Sequence, residues 1–178
     1  EVRPRTPLTA ARRIEGGWEL ETPAGKFTAS ALINAAGPSV LKVDGLVGET
    51  PEYGMRLVRG SHIVVRKLFD HPYAYFFQLA DGRIFFAIPY ERDFTLIGTT
   101  DRDHTAGEPI VASEEEIAYL CEGASNYFKT AITPADVVWT YSGVRPLVDD
   151  GSGKPEAATR GYRLDLSDKA AGAPPLSV

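Results

Sequence analysis

The chain has 178 residues, with 19 lysines and arginines against 24 aspartates and glutamates, a formal charge of −5, and 43% apolar or aromatic residues. This is the composition of a folded chain with a hydrophobic core rather than a disordered segment, and its acidity argues against a nucleic-acid partner, which asks for a basic face. A single cysteine excludes an intramolecular disulfide framework and a Cys-rich zinc site and points to a reducing compartment, and no apolar run reaches the length of a membrane span.

Strands joined by tight turns are expected first. Ala11–Glu15 meets Gly16-Gly17, Trp18–Thr22 runs into Pro23-Ala24-Gly25, and a third run from Lys26 to Asn34 ends at Ala35-Ala36-Gly37-Pro38. Within it, Ser30–Gly37 reads as a buried strand ending at small residues that allow close backbone approach. Ser39–Tyr53 is of mixed polarity and reads as a linker. Arg56–Val65 is extended, with an interruption at Gly60. Tyr75–Ala80, Asp81-Gly82 and Arg83–Ile88 form a hairpin with a two-residue turn, which pairs Leu79 with Ile84 and Phe77 with Phe86 on one face and sets Gln78 opposite Phe85 on the other. A short strand follows at Phe94–Gly98.

A helix is predicted over 114–128. Ser113 and Glu116 make a capping box, and Ile117, Leu120, Cys121, Ala124 and Phe128 form an apolar stripe at helical spacing. Val137–Tyr141 is a strand running into Ser142-Gly143-Val144-Arg145-Pro146. Asp149–Gly153 is a polar loop, and Tyr162–Leu166 alternates like a half-buried strand. Strands outnumber helices and hairpins dominate, so the expected class is α+β with a mostly antiparallel sheet and a flanking helix.

The sequence contains no GxGxxG, P-loop or GxSxG motif, and His62, His71 and His104 lack metal-ligand spacing, so no metal is expected. His62 lies in a strand rich in Val and Ile. It reads either as a structural hydrogen-bonder or as a base, since neutral imidazole accepts a proton near pH 7. Arg59 is an anion ligand or a solvated surface residue. Arg145, at the end of a strand holding Trp139 and Tyr141, binds an anion with its planar fork or forms a structural pair with Asp149 or Asp150. Arg160 is ordinary alone, although it enters the next strand and could converge with Arg145. Asp101 orients a base, binds a cation or closes a turn. Cys121 is an inert core thiol, and the aromatics between Tyr75 and Tyr90 are sheet core first and ligand wall second.

Several runs together resemble FAD-dependent glycerol-3-phosphate dehydrogenases, of the D-amino-acid-oxidase-like flavoprotein fold. They are Leu32–Pro38, Gly54–Val65 with its Arg59-Gly60-Ser61-His62, Phe86–Tyr90, Leu96–Asp101, Glu114–Leu120 and, above all, Val138–Leu147 with Ser142-Gly143-Val144-Arg145-Pro146. The resemblance implies a partial FAD-binding domain over 1–45, a substrate or cap domain over 46–142 and a return segment toward the FAD-binding domain over 143–178. It also implies oxidation of sn-glycerol 3-phosphate to dihydroxyacetone phosphate, with electrons passed through FAD to a quinone. His62 and Arg145 would be catalytic, Arg145 and Arg160 substrate-binding, and Asn34, Ala35, Ala36 and Gly37 cofactor-binding. Ser39 departs from the family's usual Trp after Gly-Pro.

On this reading the chain is an internal slice of a cytoplasmic enzyme peripheral to the inner face of the membrane. The slice itself is soluble, does not retain FAD, is inactive alone and self-associates through exposed cofactor-facing surface. Two rival readings stand beside it. One is a sibling flavin oxidase acting on an amine or amino acid, and the other is a non-catalytic α+β binding domain in which Arg145 pairs with an acid.

Overall fold

A computed structural model describes residues 1–149, 160–167 and 172–178 of the chain. They form two compact units, one from residues 1–55 with 146–149, 160–167 and 172–178, the other from residues 56–145.

In the first unit, β1 (Ala10–Ile14), β2 (Gly17–Thr22) and β3 (Gly25–Ala29) make an antiparallel meander. Gly16 and Gly25 take φ of +75° and +118° at its turns, where a side chain would be strained. Trp18 is fully buried, with the Arg13 guanidinium 5.2 Å from its ring centre. The run expected to continue as one strand to Asn34 instead breaks after Ala29. The chain changes partner there: β4 (Ile33–Asn34) leaves the meander and pairs in parallel with β12 (Leu176–Ser177), which pairs antiparallel with β11 (Asp165–Leu166). Ile33 is 64% exposed, so this is not the buried strand its sequence suggests.

Two further expectations fail in this unit. Ser39–Tyr53 is not a linker: a 3-10 turn (Gly37–Ser39) leads into helix α1 (Val40–Leu46), which buries Val40 and Asp44, with Val47 buried just beyond it. The repeat of small and charged residues hid an i, i+4 spacing of these buried positions. Only Asp165 and Leu166 of the alternating run 162–166 form a strand, and residues 160–164 are largely exposed. The expected polar loop beyond Asp149 lies outside the described residues.

The second unit is built on a six-stranded sheet. Its order is β10 (Val137–Val148), β5 (Met55–Arg66), β8 (Phe94–Gly98), β7 (Ile84–Tyr90) and β6 (Tyr75–Gln78), with β9 (Arg102–Asp103) also paired to β5. The pairs β5–β8, β5–β9, β7–β8 and β6–β7 are antiparallel. Strand β5 runs through Gly60 without the expected interruption.

The hairpin register is also one residue off the expectation: Phe77 faces Phe85, Gln78 faces Ile84 and Phe76 faces Phe86. The loop is Ala80-Asp81-Gly82, closed by Gly82 N donating to Leu79 O and Leu79 N donating to Arg83 O. Gly82 has φ +84°. This is the three-residue turn ending in a left-handed glycine, which an Asp-Gly pair supports as readily as the two-residue turn. The slip moves Phe85 to the interior and Phe86 to the opposite face.

On the inner face, Ile63, Val65, Phe85, Ala87 and Ile97 pack with Leu120, Cys121 and Ala124 of helix α2 (Glu114–Ser125). Each large side chain so buried contributes about 1.5–3 kcal/mol. The capping box at Ser113 and Glu116 forms as expected. The described residues are therefore sheet-dominated with few helices, and their strand pairs include antiparallel ones and the parallel pair β4–β12. No helix among the described residues is long and apolar enough to cross a membrane.

Candidate functional site

The second unit's other sheet face carries two of the candidate residues, His62 and Arg145. Register sets His62 beside Gly98, Gly98 beside Phe86 and Phe86 beside Phe76. Side chains alternate along a strand, so these four lie opposite the face packed on α2. Gly98 makes room for the imidazole, since a Cβ there would stand 2.1 Å from His62 Cδ2. On the other side the His62 ring stacks on Tyr141, with centroids 4.7 Å apart and planes 6° from parallel.

His62 Nδ1 is buried without a hydrogen-bond partner, which leaves Nε2 as the nitrogen open to an incoming group. Burial, and after it the charge of Arg145, push the His62 pKa below the ordinary histidine range. The ring is therefore neutral at pH 7 and suited to accept a proton.

Arg145 lies over Gly60, where a Cβ would come 2.6 Å from Nη1. Its Nη1 donates to Asp101 Oδ1 at 2.9 Å and its Nη2 to Thr99 Oγ1 at 3.1 Å. Asp101 is thus a carboxylate paired with Arg145, and Asp150, one of the two acids expected there, lies outside the described residues. These bonds orient the guanidinium without using all its N–H donors, so the fork can still take an anion. Arg59, the other candidate anion ligand, instead pairs with Glu116 at 2.7 Å.

In the first unit, Asn34 closes the C-terminal end of β4. It is buried, its Nδ2 donates to Val40 O and Asp44 Oδ1, and its Oδ1 accepts from Ala36 N. Ala35 and Ala36 are exposed. Gly37, at φ +54°, lines a cavity of about 290 Å³ with Tyr53, Pro146, Arg160 and Arg163. The Arg163 guanidinium lies 4.9 Å from the Tyr53 ring centre.

Of the residues singled out in the sequence, the structure brings His62 and Arg145 to one sheet face of the second unit, and Gly37 and Arg160 to one cavity of the first. The roles of four residues were missed: Tyr141 as a platform and Thr99 as a holder of Arg145 carry no motif of their own, Asp101 is a candidate in the sequence but not as a partner of Arg145, and Glu116 reads there only as half of a capping box. Gly60 and Gly98, glycines inside β-branched strands, are the signal that could have located the seats of Arg145 and His62.

Residues 1–162 match the FAD dependent oxidoreductases (DAO). The chain belongs to that family. Among its relatives, the glycerol-3-phosphate dehydrogenase of Pseudomonas aeruginosa is 46% identical over 98% of this chain and 35% of its own length. The D-erythritol 1-phosphate dehydrogenase of Brucella abortus is 44% identical over 98% of this chain and 36% of its own. The Bacillus halodurans glycerol-3-phosphate dehydrogenase solved with FAD superposes with a TM-score of 0.75 at 24% identity, over 97% of this chain and 34% of that one. This oxidoreductase chain therefore spans about a third of the length of the curated relatives it matches.

FAD is the cofactor of the family, and residues of the first unit suit part of it. Exposed alanine methyls and a left-handed glycine follow the carboxyl end of a strand in a parallel pair, where such sheets accept ligands closely. The glycine fingerprint that grips a dinucleotide is not in this sequence.

Proposed function

We propose that this chain serves a flavoenzyme that oxidises sn-glycerol 3-phosphate to dihydroxyacetone phosphate. The reading is supported chiefly by the pairing, on one sheet face, of a neutral imidazole over Gly98 with a guanidinium held over Gly60 by Asp101 and Thr99. The 44–46% identity to polyol-phosphate dehydrogenases supports the substrate class.

Arg145 binds and orients the anionic substrate, and Arg160 is assigned the same class of role. His62 takes the C2 hydroxyl proton on Nε2 as the C2 hydride leaves, so the alcohol loses a proton and a hydride and becomes a ketone. When bound, FAD supplies the acceptor for that hydride. Ala35, Ala36 and Gly37 would lie against the cofactor, with Asn34 shaping the turn beneath them.

In this proposal residues 1–45 and 143–178 serve cofactor binding and residues 46–142 form the substrate cap. The full-length protein passes electrons to a quinone at the inner face of the cytoplasmic membrane. This chain alone, without the dinucleotide fingerprint, neither retains FAD nor turns over substrate.

The test is flavin absorbance of the full-length protein. Bleaching by glycerol 3-phosphate, with weaker bleaching by D-erythritol 1-phosphate and none by glycine, is expected. A bound flavin that glycine reduces and glycerol 3-phosphate does not would replace this reading with an amino-acid oxidase.

A further inference from the structure

Behind the sheet, on the face opposite His62, the Glu116 carboxylate is 3% exposed and bonded on all sides. Its Oε1 accepts from Ser61 Oγ at 2.8 Å and Thr100 Oγ1 at 2.7 Å. Its Oε2 accepts from Arg59 Nη2 at 2.7 Å and from Ser113 N at 3.0 Å. Only the Ser113 bond belongs to the helix cap. A cap forms equally well at the surface, whereas a buried carboxylate is costly unless fully bonded. Capping therefore does not account for this burial.

Of the three remaining partners, Arg59 pairs with the charge, and the other two, Ser61 and Thr100, share one property. Ser61 precedes His62 in the chain, and Thr100 lies between Thr99 and Asp101, which hold Arg145. The two are also laced together, Ser61 N donating to Thr100 Oγ1 at 2.9 Å and Thr100 N to Ser61 O at 3.3 Å. Because the Ser61 hydroxyl proton goes to Glu116, Ser142 is the donor in the 2.8 Å contact between Ser61 Oγ and Ser142 Oγ. Ser142 follows Tyr141, the ring beneath His62. One carboxylate thus ties the chain neighbours of His62, of Tyr141 and of both Arg145 ligands.

We propose that Glu116 is a positioning residue which, through Ser61 and Thr100, fixes His62 relative to the Asp101–Thr99–Arg145 group. The effect on turnover rests on the function proposed above, while the effect on geometry does not.

The test uses the full-length holoenzyme with E116Q, which keeps shape and a cap acceptor, and S61A/T100V, which leaves the carboxylate in place. Both are expected to bind FAD, to lose about a hundredfold in kcat/KM with kcat falling and KM rising together, and to be no worse when combined, as members of one network are. In the crystal structure of the E116Q holoenzyme, the His62 ring and the Arg145 guanidinium are expected to leave their wild-type positions. A variant that melts earlier but keeps wild-type kcat, KM and side-chain positions would reduce Glu116 to a stabilising cap and overturn the proposal. A wild-type enzyme that no polyol phosphate reduces would overturn the function reading alone, since the displacement of His62 and Arg145 is still read from the crystal structure.

Discussion

The imidazole of His62 stands where a Cβ of Gly98 would be, 2.1 Å from that position at Cδ2 and 2.6 Å at Cγ. A ring cannot share that volume with a methyl group, so the glycine is a requirement of the seat and not of the backbone turn. Gly60 stands in the same relation to the Arg145 guanidinium. The two glycines should separate the two functions in the full-length enzyme. Gly98→Ala forces the ring off Tyr141 and should lower kcat by about 10–100-fold with FAD retained. Gly60→Ala displaces a flexible guanidinium and should act mainly on KM. Steady-state kinetics decide this, and wild-type values in both variants would dismiss the seats.

How far the sequence could carry these conclusions depended on the kind of signal. Helix α2 was legible because Ser113, Glu116 and the Leu120–Cys121–Ala124 stripe agree at the level of cap and period. The hairpin was legible as an element but not in register, since Ala80-Asp81-Gly82 offers two turn lengths and only packing of Phe85 against α2 chooses between them. Helix α1 was missed because its buried face includes Asp44, whose Oδ1 accepts from Asn34 Nδ2 and Ser177 Oγ, partners outside the helix. His62 and Arg145 could be named from their motifs. The pairing of Tyr141 with His62 and of Asp101 with Arg145 could not be read, because contacts between distant segments are invisible to local pattern.

Arg145 offers a second test. Met at this position removes the cation beside Asp101 and both oriented bonds. A charge-assisted bond to substrate is worth about 1.5–3 kcal/mol, so kcat/KM for glycerol 3-phosphate should fall by about 10–150-fold. Arg145→Lys keeps the charge but has a single nitrogen to share among Asp101, Thr99 and the anion. It should recover only a small part of the loss, mostly in KM. Full activity in R145K would show that charge alone matters and that the fork held by Asp101 does not.

Cys121 gives a test of the core that is independent of activity. Burial first, and the nearby Asp136 carboxylate second, push its thiol up to about 11, so at pH 8 it is neutral as well as enclosed between α2 and the sheet. Disulfide-exchange reagents attack through the thiolate. The native protein should resist such a reagent for as long as it stays folded, and urea should release one reactive thiol per chain, the single cysteine of the sequence. Stoichiometric labelling of the native protein within the mixing time would contradict the described packing of α2.

The pH dependence follows from His62. Its folded-state pKa lies below the ordinary value of 6.5, through burial first and Arg145 second. Between the folded value and 6.5 the unfolded chain binds a proton that the native site refuses. Stability is therefore fully present above 6.5 and is lost as pH falls through that window. Activity has the same sign, because the base must be neutral: kcat/KM should rise along an acid limb centred below 6.5 and be level above it. Removing the second cause with Arg145→Met should move the limb of the residual activity upward, toward the ordinary histidine value. The profile is measured as the rate of flavin reduction against pH in wild type, R145M and H62N. An acid limb that persists unchanged in H62N would assign the proton to another group and remove His62 from the mechanism.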